Sequence, residues 1–260
     1  MTNDHEIWHS KDAIQKATQQ WMTDRTGFLS SFPFGGFAFT RLDERLNEHD
    51  EWKNASTKSG LDPMGLSQTQ PNVEFFNTEM YGAARHLHTS FPIGGNSSFG
   101  MITQLFYPRS RGSVTIKSAD PKDNPVVHHN YLSDPLDVLV LAEGCRLGNE
   151  IIMEGAGTKD LITGSWPKEV SHHKYTTIDQ WKDFAKSSAT TCYHPSCTCP
   201  MGNDDDPTAV LDERLKVRGV SGLRVADTSA MPRLINGHPQ MAAYAIGEKA
   251  ADMIKMARRG

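Results

Sequence analysis

Residues 107–138 read YPRSRGSVTIKSADPKDNPVVHHNYLSDPLDV. Within them RGSVTIKS alternates polar and apolar residues, the period of a half-buried strand. ADPKDNP is a turn, because Asp and Pro each restrict the backbone, and PVVHHNYL is a second short strand. SDPLDVLVLAEGCRLGNEIIM then opens as a helix. Asp134 suits the N-cap, Pro135 the first turn, and Asp137 the positive end of the helix dipole.

The flanking chain extends this pattern. SKDAIQKATQQWMTDRTG reads as a helix that Ser10 can cap, with Ile14, Ala17 and Trp21 on one face and Gly27 at its end. FPFGGFAF is aromatic and glycine-rich, a strand with a turn, and residues 42–62 are charged and helical. PNVEFF and SSFGMITQLFYP read as strands. Downstream, TTIDQWKDFAKSS carries a capping box, Thr177 standing three residues before Gln180. GLRVAD reads as a short apolar strand, and HPQMAAYAIGEKAADMIKMARR is the clearest helix, with Pro239 at its start. The order predicts an α+β fold, an antiparallel sheet with flanking helices. No repeat interrupts it.

Composition narrows the function classes. The 260 residues carry a formal net charge of -4, with 37% apolar and 22% charged residues. A packed core is attainable at that length, and the absence of a basic block argues against nucleic acid. No apolar run approaches the roughly 20 residues a membrane helix requires. The polar start MTNDHEIWHS has no signal-peptide core, so cytoplasm is the expected compartment. Sequons at Asn54 and Asn96 matter only on secretion. Four cysteines, at 145, 192, 197 and 199, make no disulfide framework, and Cys145 reads as a small core residue.

The chemistry concentrates in YHPSCTCPMG, residues 193–202. His194, Cys197 and Cys199 are three ligand types, but a structural zinc site wants four in paired spacing. A turn in which the cysteines pack is the better reading, and no metal is expected. Proline after His194 keeps its backbone out of helix, so the ring can project into a pocket as a general base. His238, in NGHPQM, stands at the start of the final helix, where the dipole disfavours an imidazolium. Other candidates have blander readings: RSRG as a solvated strand entry, His128 and His129 on opposite strand faces, His86 and His88 on one face, and Phe75, Phe76, Phe91 and Phe106 as core.

Three stretches, YHPSCTCPMG, AVLDERLKVRGVSGLRVADTSAMP and NGHPQMAAYAIGEKAADMI, together resemble the C-terminal signature of glucose–methanol–choline (GMC) oxidoreductases, over roughly the last seventy residues. Residues 107–138 resemble that family's substrate-domain segment. The resemblance implies a substrate-binding-like domain over residues 1–190. It implies a C-terminal segment, 191–260, that packs with this domain as one unit and supplies the last strand and helix of the cofactor domain. It also implies roles. His194 matches the base that takes the hydroxyl proton while hydride leaves for the flavin. His238 matches the second position, which holds the substrate oxygen. Asp227 matches an acidic residue near the ribityl and pyrophosphate part of FAD, and Pro239, Gln240 and Met241 match the helix start beside the flavin ring.

Two departures shape the expectation. Cys197 stands where the family usually has glycine. HPSCTC is similar to the choline-dehydrogenase branch, yet paired histidines resemble the glucose oxidase and aryl-alcohol oxidase branches, so no substrate is implied. Moreover, the sequence contains no GxGxxG, the motif that brings backbone to a dinucleotide pyrophosphate. FAD is therefore expected only if the missing half is supplied, and otherwise no cofactor.

Three functions follow. One is the C-terminal portion of an alcohol oxidoreductase that acts on a small molecule and needs a separate FAD-binding chain. The second is a stand-alone isomerase, cyclase or dehydratase using the same histidines, which a methionine at the start of the substrate domain favours. The third is an inert regulatory subunit docking on a full-length relative.

Overall fold

The computed structural model describes residues 12–30, 34–78, 100–166 and 169–259. Ser10, His86, His88, Phe91 and Asn96 lie outside the described residues. The chain divides into two compact units, one running to Leu105 and resuming at Asp134–Thr190, the other made of Phe106–Ser133 and Thr191–Gly260. Residues 106–133, expected within the first domain, thus group with the C-terminal segment.

In the first unit a helix, α1 (Ala13–Asp24), precedes strand β1 (Phe34–Thr40) and two single-turn helices, α2 (Asp43–Leu46) and α3 (Asp50–Lys53). Strands β2 (Val73–Thr78) and β3 (Gly100–Gln104) follow, and after the excursion into the second unit come α4 (Pro135–Glu154) and α5 (Ile178–Ser188). The expected end of α1 shifts: Arg25 turns left-handed at φ 55°, ahead of Gly27.

The sheet order is β1-β2-β3 and both pairings are antiparallel, with Phe37 opposite Phe76 and Glu74 opposite Gln104. Alternation is lost in β2, buried at Val73, Glu74, Phe75 and Phe76, as suits a central strand covered on both faces. Helix α4 starts where the sequence places it. Asp134 accepts from the Leu136 N–H at 2.9 Å, with Pro135 in the first turn. Two glycines let α4 lie close on the sheet: a Cβ at Gly144 would stand 2.6 Å from Thr103, and one at Gly148 3.3 Å from Phe75. Helix α5 begins with the expected capping box of Thr177 and Gln180 and buries Trp181 and Ala185.

Glu143 on α4 is fully buried, and such a carboxylate requires partners. His49 and Arg146 supply them at 2.8 Å and 3.2 Å.

In the second unit, β4 (Ser113–Thr115) and β5 (Val126–His128) form the antiparallel hairpin read from residues 107–138, with Val114 opposite Val127. A side chain at Gly112 would run into the His128 carbonyl, which is why glycine stands there. The long helix α6 (Gln240–Arg259) packs Ile246, Ala250 and Met253, one helical face, into a cluster with Leu211, Leu215 and Ala230. GLRVAD, read as a strand, makes only an isolated bridge between Lys216 and Arg224 among the described residues. Left-handed Gly219 and Gly222, the latter its first residue, turn the chain into it, and without a neighbouring strand no ladder extends.

Candidate active site: a histidine pair

The loop that carries His194 is pinned along its length. Tyr193 and Cys197 both adopt positive φ, at 61° and 69°. From Cys197 the chain runs beside the short 3-10 turn Thr228–Ala230. The N–H groups of Cys197, Cys199 and Met201 donate to the carbonyls of Thr228, Ser229 and Ala230 at 3.2, 3.0 and 3.0 Å. Thr228 Oγ1 donates to the Pro195 carbonyl at 3.0 Å, fixing the residue after His194. The cysteines are free thiols that serve this packing. Cys199 lies against the Leu211 cluster. Burial raises the Cys197 thiol pKa, and Arg111 opposes the shift. The left-handed backbone at Cys197 is one that glycine adopts without steric cost.

His238 comes from the other direction, two residues ahead of α6. Pro239 between them is buried, and its carbonyl accepts the Ala243 N–H at 2.8 Å. The two histidines, 44 positions apart, meet: Nε2 of His194 lies 2.9 Å from Nδ1 of His238. Their ring centroids are 5.0 Å apart and their planes stand at 88°. Phe106 completes the cluster. Its ring is nearly parallel to His194 (10°, 6.2 Å) and edge-on to His238 (80°, 5.0 Å). Nothing in the residue pattern marks this contact, since a buried aromatic reads as core wherever it falls.

The electrostatics favour a neutral His194. Burial is the main cause that lowers the His194 pKa; a hydrogen bond to the Tyr193 backbone opposes it, and His238 lowers it further. His194 is half-buried and His238 exposed, so the pair presents one sheltered and one accessible ring.

The other expected site residues fall in the same unit as this pair. Asp227 is exposed and accepts the Ser229 N–H at 2.8 Å, capping the turn that holds the His194 loop. Gln240 and Met241 are exposed in the first turn of α6, where backbone N–H groups have no partner within the helix. Gln240 Nε2 donates to Tyr244 at 3.3 Å. Alongside, Arg233 donates to the Tyr107 hydroxyl at 2.8 Å, a pair the sequence reading passed over. Among the described residues no cluster of three ligand-type side chains is present, and no helix is long and apolar enough to cross a membrane.

Residues 108–247 match the family model described as GMC oxidoreductase, and the chain belongs to that family. It is 42% identical over 147 residues to mitochondrial choline dehydrogenase of Mus musculus, covering 56% of this chain and 24% of that protein. It is 32% identical over 240 residues to choline oxidase of Arthrobacter globiformis, covering 89% of this chain and 41% of that one. Formate oxidase of Aspergillus oryzae RIB40, studied for modification of its FAD, superposes with a TM-score of 0.85 at 28% identity, over 99% of this chain and 44% of its own. The chain therefore spans less than half the length of each and carries the C-terminal part of the GMC architecture.

Proposed function

We propose that this chain supplies the proton-accepting half of an alcohol oxidation site, with His194 as base, His238 as its partner, and hydride passing to FAD. The observation that carries the reading is the 2.9 Å approach of two imidazoles in an environment that keeps His194 neutral.

FAD, when bound, would supply the hydride acceptor. Gln240 and Met241, exposed in the first turn of α6 behind Pro239, would hold the flavin ring, and exposed Asp227 would hold the ribityl side. The backbone cradle for the pyrophosphate belongs to the GxGxxG unit, which this sequence lacks. A separate FAD-binding chain or a longer protein carrying this segment is the partner the reading requires.

The work of the chain's own residues is proton handling. A neutral His194 accepts the hydroxyl proton as the carbon–hydrogen bond breaks, and His238 hydrogen-bonds the substrate oxygen. For Nε2 of His194 to receive that proton directly, the substrate oxygen displaces Nδ1 of His238, and the exposed His238 ring is the one that gives way. The isomerase, cyclase, dehydratase and regulatory readings find no support in the three relatives named above.

The test is chemical. The protein carrying this chain, loaded with FAD, is mixed anaerobically with a panel of primary alcohols. Loss of the oxidised-flavin absorbance with a product two hydrogens lighter is the expected result. A product of unchanged mass, or one lighter by water, contradicts it.

A further inference from the structure

We infer that Phe106 is the positioning residue of the histidine pair: it sets the angle between the two imidazoles and so determines which nitrogens share the proton. The inference rests on the pair being the proton-accepting site, and it reaches a residue that no motif marks.

Three rings meet in one cluster. The His194–His238 and Phe106–His238 centroids are both 5.0 Å apart, and the Phe106–His194 centroids 6.2 Å. Phe106 and His194 are parallel to within 10°, and His238 stands across both, at 80° and 88°. A hydrogen bond between two imidazoles fixes a distance but leaves each ring able to turn about the N–H···N line. Phe106 removes that freedom. It presents its negative face or positive edge, and an edge-on neighbour is held by that quadrupole. The ring is only 1% exposed, so its own position is fixed by packing. Phenylalanine also has no polar group to compete for the imidazole nitrogens. Its apolar bulk shelters His194, in keeping with the burial that favours the neutral ring.

The experiment reads the imidazoles directly, without turnover, in the purified chain. Nitrogen-detected NMR follows the tautomer and titration of His194 and His238 in wild type, Phe106→Leu and Phe106→Tyr, with far-UV circular dichroism reporting the fold. In Phe106→Leu the His194 midpoint is expected to move up toward the ordinary histidine value, and the Nε2–Nδ1 coupling pattern to be lost. Phe106→Tyr, which keeps the ring, retains both. A folded Leu variant with unchanged titration and tautomers overturns the assignment. Should Leu fail to fold, Phe106→Met, flexible enough to fill the space without a ring, answers the same question. Wild-type cross-relaxation between the Phe106 and His238 ring protons gives a check that needs no variant, and its absence also overturns the assignment. If the histidines titrate independently in wild type, the paired site itself fails; if they are coupled but indifferent to Phe106, only this inference does.

Discussion

His194 Nε2 and His238 Nδ1, 2.9 Å apart, have room for one proton between them. One nitrogen donates and the other accepts, so a doubly protonated pair breaks the bond.

Removing His238 therefore changes His194. In His238→Ala the repulsion between the two rings is gone and water reaches the site, so the His194 pKa rises toward the ordinary histidine value. An NMR pH titration of the isolated chain measures the shift, and a downward move contradicts it.

Cys197 holds φ 69°, in the left-handed region that favours glycine. Left-handed backbone costs an L-residue about 1 kcal/mol. Cys197→Gly should accordingly raise the denaturation midpoint of the second unit, whereas Cys197→Ala, which keeps the strain, should not. Equal effects from the two would mean that thiol packing, not backbone strain, governs the position.

A pH dependence belongs to the first unit. Burial lowers His172 to about 4 against an ordinary 6.5, and its Nδ1 makes no hydrogen bond. The ring packs against Trp181 and Phe184. Between those two values the unfolded chain takes up a proton that the folded one refuses. Stability from this group is whole above pH 6.5 and declines as pH falls toward 4. Denaturant midpoints at pH 7, 5.5 and 4.5 should fall in that order. In His172→Phe this part of the slope disappears; a slope as steep as wild type would assign it to other groups.

Gly144→Ala tests the seat of α4. The new Cβ would meet Thr103 Cγ2 at 2.6 Å and force it to shift, so a loss of about 1–3 kcal/mol is expected. The same change at the open Gly157, which meets nothing within 4 Å, should be near neutral by comparison in chemical denaturation.

Local chemistry was what the sequence made legible. Asp134 with Pro135 and Thr177 with Gln180 announced helix starts, because capping is settled within a few residues. The hairpin of residues 113–128 announced itself by alternation. Long-range partners left no such trace. Periodicity does not say that residues 106–133 join the C-terminal unit, nor that Phe106 meets two histidines. GLRVAD has the composition of a strand, but a strand exists only beside another. Family motifs pointed to His194 and His238; their approach through Nε2 and Nδ1 is a property of the fold.

The base assignment has one decisive measurement, the rate of alcohol-dependent flavin reduction in His194→Ala against wild type, both loaded with FAD and matched for flavin content. A base in this position predicts a fall of about 10²–10⁴-fold with the flavin still bound. Reduction at the wild-type rate would contradict it outright.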